Sequence, residues 1–272
     1  MSNALGQITS KKESSGKTLK LAKNRLLLFI ASLTGGLIIW QLAILLFDLP
    51  SFILPGPIQV IKRFITAIQG GLIQRHLFIT LLEVLLGLSL GTGFAIITGY
   101  ILAKSPSAEK LASPYLIASQ SIPIVAIAPL LVIWFGPGLL SKVLICSLIV
   151  FFPVLINTVV GLREVPQDLH YLMRSLGSTP FKTLYYLEIP AALPIFFGGL
   201  RVGATLAVIG AIVGELVGSD RGLGFLINVG RGQYDTALVF VAVITLVVMA
   251  SSLYGFVLLL ESRLLSWQTW RK

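Results

Sequence analysis

Six apolar stretches divide this chain: residues 26–47, 78–103, 111–135, 139–160, 191–217 and 236–260. Each is long enough to cross the hydrocarbon layer of a membrane as a helix, which takes about 20 apolar residues. The pattern predicts an all-α membrane protein with six transmembrane helices. Residues 1–25 form a polar tail, 26–262 a transmembrane domain, and 263–272 a second short tail. The tail of 1–25 is expected to be disordered, because it has too little apolar surface to bury. The run 26–47 carries no charge and no small-residue cleavage site follows it, so it reads as an uncleaved span.

The polar island between the fourth and fifth spans breaks the monotony. From Pro166, the residues Leu169, Leu172, Met173 and Leu176 recur at i, i+3, i+4 and i+7. They form one apolar stripe on a helix of about three turns. Pro166 suits the first helical position, and Gly177 supplies the left-handed residue that ends such a helix. Ser178 or Thr179 can cap a second helix starting at Pro180, which carries Phe181, Leu184, Tyr185 and Leu187 and is expected to stop before Pro190. Two uses fit the stripe. It can float in the membrane interface, or it can sit in a groove of a soluble partner.

A smaller amphipathic pattern follows Pro55-Gly56-Pro57. Ile58, Ile61, Phe64, Ile65 and Ile68 share one face, with Gln59, Lys62 and Arg63 on another, which predicts a short helix lying in the interface.

Composition agrees with a bilayer as the main solvent. The chain is 56% hydrophobic and 12% charged over 272 residues, about half the charge of a soluble domain. Its net charge of +10 sits at the edges of apolar runs rather than along a groove, which argues against nucleic acid as a partner. The four polar segments on the side of the N-terminus hold 14 Lys and Arg against 6 on the other side, with Arg201 inside a span. Basic residues collect on the cytoplasmic side, so both termini are expected there.

Few polar residues interrupt the spans. Lys142 lies near a span end and is expected to snorkel. Arg201 and Glu215 lie too far apart along span five to pair directly. Each is expected to face a cavity or a partner, as is Glu83, which falls at the same end as Glu215. Span three carries Pro114, Pro123 and Pro129 around Ser119, Gln120 and Ser121. Those polar residues, with Arg201 and Glu215, are candidates for lining a pathway. Span five also bears Gly199, Gly203, Ala207, Gly210, Gly214 and Gly218, one stripe of minimal side chains suited to close helix packing or to a dimer interface.

The chemistry that would mark an enzyme is missing from the sequence. Gly16-Lys17-Thr18 lacks the earlier glycine of a phosphate loop, since that position is Lys11. His76 and His170 fall on opposite sides of the membrane and cannot share a metal or an acid–base site. No catalytic residue, metal ligand or cofactor is assigned.

The run Leu172-Met173-Arg174-Ser175-Leu176-Gly177, followed by Ile189-Pro190-Ala191-Ala192-Leu193-Pro194, resembles the cytoplasmic loop of binding-protein-dependent ABC importer permeases. In that family the loop opens Glu-Ala-Ala, and here Tyr171, Leu172 and Met173 stand instead, so the family's acidic contact is not carried over. Leu54-Pro55-Gly56-Pro57, the stretch from Ile122-Pro123 to Trp134-Phe135-Gly136-Pro137-Gly138, and Glu215 to Gly222-Leu223-Gly224 are similar to the nitrate, sulfonate, taurine and bicarbonate subfamily, and to permeases for thiamine precursors and riboflavin.

The resemblance implies a plasma-membrane permease, working as a dimer with two ABC ATPase subunits and an extracytoplasmic solute-binding protein. It makes Leu169, Leu172, Met173, Arg174, Leu176 and Gly177 the ATPase-coupling loop. An ion-coupled carrier acting alone is the alternative, but the six spans are not two copies of three, which weighs against one built from inverted repeats. With only Arg201 placed within a span, an organic or weakly charged solute fits better than a strong anion.

Overall fold

A computed structural model describes residues 27–28, 31–120 and 122–267, and it is helical throughout. The expected disorder of 1–25 lies outside the described residues. The chain divides into two units at residue 62. The first contains α1 (Ala31–Leu46) and the start of α2 (Pro57–Gln69). Between them Asp48 adopts a left-handed turn at φ 45°, and the Gly56 N–H donates to Gln59 Oε1 at 3.1 Å. The short helix expected after Pro55-Gly56-Pro57 is present, with Ile58, Ile61 and Ile65 exposed.

The second unit is built on three long helices: α3 (Leu72–Lys104), α6 (Leu139–Arg163) and α9 (Ile189–Val217). α6 lies between the other two. The reason is the size of the side chains facing it. A β-carbon at Gly199 would lie 2.6 Å from that of Asn157, and one at Gly210 would lie 2.8 Å from the Cys146 α-carbon. Gly203 faces Val150 and Val154, and Gly214 faces Lys142 and Ile145. The occupant of the span-five stripe is thus α6.

A second stripe, Gly87, Gly91, Ala95 and Gly99 on α3, meets the neighbouring flank of α6, with Cys146 and Val150 touching both stripes. A β-carbon at Gly91 would lie 2.6 Å from the Ser147 carbonyl oxygen, and one at Gly99 would lie 2.8 Å from Thr158 Cγ2. Close backbone approach of this kind replaces the hydrophobic drive that a lipid solvent cannot supply. Cys146, Val150 and Val154 of α6 are fully buried between the stripes.

The expected third span is not one rod. It is α4 (Pro106–Gln120) and α5 (Ile124–Phe135), bent by 93° at the break. Pro123 lies at that break and disfavours a helical conformation in the residue before it. Pro114 and Pro129 are carried inside their helices. After α6 come α7 (Gln167–Ser175), the single turn α8 (Pro180–Thr183), a π-helical segment over Leu184–Glu188, and α9. α10 (Leu223–Gly232) and α11 (Thr236–Leu264) complete the unit, both packed on α9 and on each other.

Among the described residues four stretches, Leu72–Lys104, Leu139–Arg163, Pro180–Val217 and Thr236–Leu264, are long and apolar enough to cross a membrane. The bent pair makes a fifth if it counts as one span. α1 is apolar but has a described length below that needed, so the sixth span expected over 26–47 is not established by these helices.

Candidate functional site

α7 begins one residue later than its sequence suggests, because Pro166 adopts an extended conformation and serves as the N-cap. At the far end Gly177 has φ +70°. Its N–H donates to the Arg174 carbonyl at 3.0 Å, and the Ser178 N–H donates to the Met173 carbonyl at 3.0 Å. This pair of bonds is a Schellman cap, which needs a residue of positive φ at the glycine position. Thr179 then caps α8, its hydroxyl oxygen accepting from the Lys182 N–H at 3.4 Å, with Pro180 in the first turn.

The second loop helix does not stop before Pro190. It continues as one apolar rod from Pro180 to Val217. The π-helical segment makes this possible. The Ile189 N–H reaches back five residues to the Leu184 carbonyl, and Pro190 has no N–H to donate. In a regular α-helix the proline ring would collide with the carbonyl four residues earlier, and the wider turn relieves that contact.

None of the α7 side chains is buried. Leu169, Leu172 and Leu176 are exposed, as are Arg174 and Gly177, while Met173 is half-buried. The stripe read from the sequence therefore has no cover among the described residues of this chain. Where α7 does touch its surroundings, it does so through His170. The ring Nδ1 lies 3.3 Å from the Pro166 carbonyl and Nε2 lies 3.1 Å from Glu188 Oε1. Glu188, 3% exposed and in the π-helical segment, also forms an ion pair with Lys104, the last residue of α3. Nearby, Arg163 at the end of α6 makes a two-pronged pair with Glu109 of α4, at 2.6 and 2.7 Å, and donates to the Leu102 carbonyl at 3.1 Å.

The opposite end of α3 holds the other polar cluster, and here one expectation fails. Lys142 does not snorkel: its ammonium lies 3.1 Å from Glu83 Oε1 and donates to Ser219 Oγ at 2.6 Å, with both charged side chains under 5% exposed. Its direction is set by Gly214, which lets the lysine stem pass across α9.

Glu215 accepts from Thr80 Oγ1 at 2.6 Å and from the Gly224 N–H. The Leu223 N–H donates to Thr80 Oγ1 at 2.8 Å, and the Gly222 N–H donates to His76 Nδ1 at 2.9 Å. The N–H groups at the start of α10 are thus satisfied by side chains of α3 and α9, where a carboxylate is favoured by the helix dipole. Gly222 itself has φ +104° and presses against the Glu215 carboxyl, leaving no space for a β-carbon.

The proposed pathway residues are not gathered in one place. Arg201 lies 3.4 Å from Glu261 of α11, so its partner is an acid of the same chain. Glu215 belongs to the α10 clamp. The Ser119 hydroxyl donates to its own helix, to the Leu116 carbonyl at 2.9 Å. Ser121 lies outside the described residues, and Gln120 closes α4.

Sequence reasoning missed the parts played by Thr80, Ser219 and Glu188. The first two have ordinary residue types for their positions. Glu188 left a signal, an acid directly before the Ile189-Pro190 pair at the entrance to a span.

Residues 91–266 match the family described as "Binding-protein-dependent transport system inner membrane component". The chain belongs to this family. It is a multi-pass inner-membrane protein and the permease of an ABC importer for a small solute, and membership implies an ATPase and a binding protein as partners.

The permease is 46% identical over 232 residues to the riboflavin transport system permease protein RibX of Chloroflexus aurantiacus, covering 85% of this chain and 87% of that one. It is 34% identical over 232 residues to the formylaminopyrimidine transport permease protein ThiX of Halalkalibacterium halodurans, covering 85% and 92%. It is 30% identical over 233 residues to the taurine transport system permease protein TauC of Escherichia coli, covering 84% of each. Its fold resembles that of a chain in the inward-facing MetNI methionine ABC transporter, with a TM-score of 0.61 at 20% identity, over 71% of this chain and 95% of that one.

Proposed function

We propose that this permease works as a homodimer of six-span subunits with both termini in the cytoplasm, each receiving force from a separate ATPase subunit through α7. The observation that carries this reading is the uncovered stripe of Leu169, Leu172 and Leu176 on a helix capped at Gly177, three residues before the rod of span five begins at Pro180. An amphipathic helix that buries no face in its own subunit suits a hydrophobic groove on another. Met173, half-buried, belongs to the same stripe, and Arg174 flanks it and completes the docking surface.

The solute is an uncharged or weakly charged heterocycle of the flavin or aminopyrimidine kind. Two lines support this. The riboflavin relative stands at 46% identity, whereas the formylaminopyrimidine and aliphatic sulfonate relatives both stand at 34% and the taurine relative at 30%. In addition, Lys142 and Arg201 are both engaged by acids of the same chain, so neither is a free counter-charge for an oxyanion.

The test is reconstitution with the cognate ATPase and binding protein in vesicles. ATP-dependent uptake of labelled riboflavin or of a pyrimidine precursor is expected, with taurine excluded. Leu172→Asp with Leu176→Asp is expected to abolish ATPase co-purification while the permease itself stays folded. Retained co-purification and uptake in that variant overturns the docking assignment. Uptake driven by an ion gradient without ATPase overturns the whole reading.

A further inference from the structure

α7 is joined to the rest of the permease by its two chain ends. Among the described residues, the one side-chain hydrogen bond that ties it to another helical element is the contact from His170 Nε2 to Glu188, at 3.1 Å. That carboxylate is not an ordinary surface acid. It is 3% exposed, and its Oε1 is shared between His170 and the ammonium of Lys104. Its other oxygen, Oε2, is buried with no hydrogen-bond partner.

A buried carboxylate is costly to leave unneutralised, so the pair is retained as a unit rather than exchanged with water. The π-helical segment sets the rotation at which Glu188 leaves the helix, because one wide turn shifts the register of the side chains before and after it. Three elements thus meet at a single oxygen: α7, the entrance to α9, and the end of α3.

α3 needs such a link. Its sequence neighbours are α2 and α4, so no direct chain connection carries movement of α7 to it. Its long contact with α6 is a stripe of glycines against backbone and short side chains, and α6 ends in Arg163, which reaches the Leu102 carbonyl two residues before Lys104.

We propose that His170, Glu188 and Lys104 form a lateral tether that makes the end of α3 follow α7 when the ATPase moves it. These are positioning residues: they touch neither solute nor nucleotide in this proposal. The idea rests on the reading of α7 as the ATPase-docking helix. It adds that docking alone is insufficient, because force must branch sideways at Glu188 to reach α3.

The experiment uses the complete importer in vesicles and measures three quantities in parallel: ATPase co-purification, ATP hydrolysis stimulated by the binding protein, and solute moved per ATP. The variants are His170→Ala, Lys104→Met and the conservative Lys104→Arg. His170 is partly exposed and outside the apolar stripe, so its variant is the one least exposed to folding failure.

The expected result for His170→Ala and Lys104→Met is intact co-purification, continued ATP hydrolysis, and solute moved per ATP reduced about fivefold or more, the lower end of a typical coupling free energy. Lys104→Arg is expected to restore most of the ratio. An unchanged ratio in His170→Ala overturns the tether. So does loss of co-purification in that variant, which would make His170 a docking residue instead. If the stripe variant Leu172→Asp with Leu176→Asp keeps its ATPase, the docking reading falls separately from the tether.

Discussion

Lys142 and Glu83 face each other at 3.1 Å between α6 and α3, both almost wholly removed from solvent. The lysine also holds Ser219 in the turn that leads to α10. One charge thus ties together two helices and the turn after span five.

Removing that charge from one side is the first test. Lys142→Met leaves Glu83 buried without its cation, a change that costs about 3–5 kcal/mol in a closed site. The expected outcome is a marked fall in the thermal unfolding temperature of the purified permease. Adding Glu83→Gln to the same chain should recover part of the loss, giving a clear interaction energy in a double-mutant cycle. Strict additivity of the two changes would mean that the pair is not coupled.

Gly91 and Gly93 make a paired comparison on one helix. A β-carbon at Gly91 meets the Ser147 carbonyl oxygen at 2.6 Å, whereas at Gly93 nothing lies within 4 Å. Gly91→Ala should therefore force α3 and α6 apart and destabilise by about 1–3 kcal/mol. Gly93→Ala should be neutral, or stabilise by up to about 1 kcal/mol through backbone entropy. Equal melting temperatures for the two variants would refute the packing described here.

Gly177 offers a test of the cap. At φ +70° a side chain costs about 1–2 kcal/mol. Gly177→Val should fray the α7 terminus and lower ATP-driven uptake, while the melting temperature of the permease changes little, because α7 buries nothing in this subunit. A large loss of permease stability would show that α7 is part of the core.

Arg201 and Glu261 separate a structural pair from a solute contact. Arg201→Met alone should impair uptake by leaving Glu261 unneutralised. Arg201→Met with Glu261→Leu should recover much of the uptake if the pair serves only structure. Continued loss in the double variant, measured as initial uptake rate at saturating binding protein, would place Arg201 on the solute path.

Much of this arrangement is legible in the residues themselves. The glycine spacing of span five, the α7 stripe and its glycine cap each follow from period and stereochemistry. What escapes is whatever depends on two distant segments meeting. Lys142 reads as a snorkelling residue because nothing local reveals that Gly214 opens a passage toward Ser219. Pro190 reads as a helix stop because a π-helical turn has no sequence pattern as plain as a cap. Span three reads as continuous because its apolar run is, although Pro123 breaks its path. The α3 stripe has the same four-residue spacing as that of α9 and is legible by the same argument.

Glycines on α3 and α9 bring both helices close to α6, with the side chains of Cys146, Val150 and Thr158 held in the narrow seams between them. Movement between α3 and α6 is therefore easiest beyond the end of the seam at Gly99, where Lys104 and the Leu102 carbonyl are held by polar side chains.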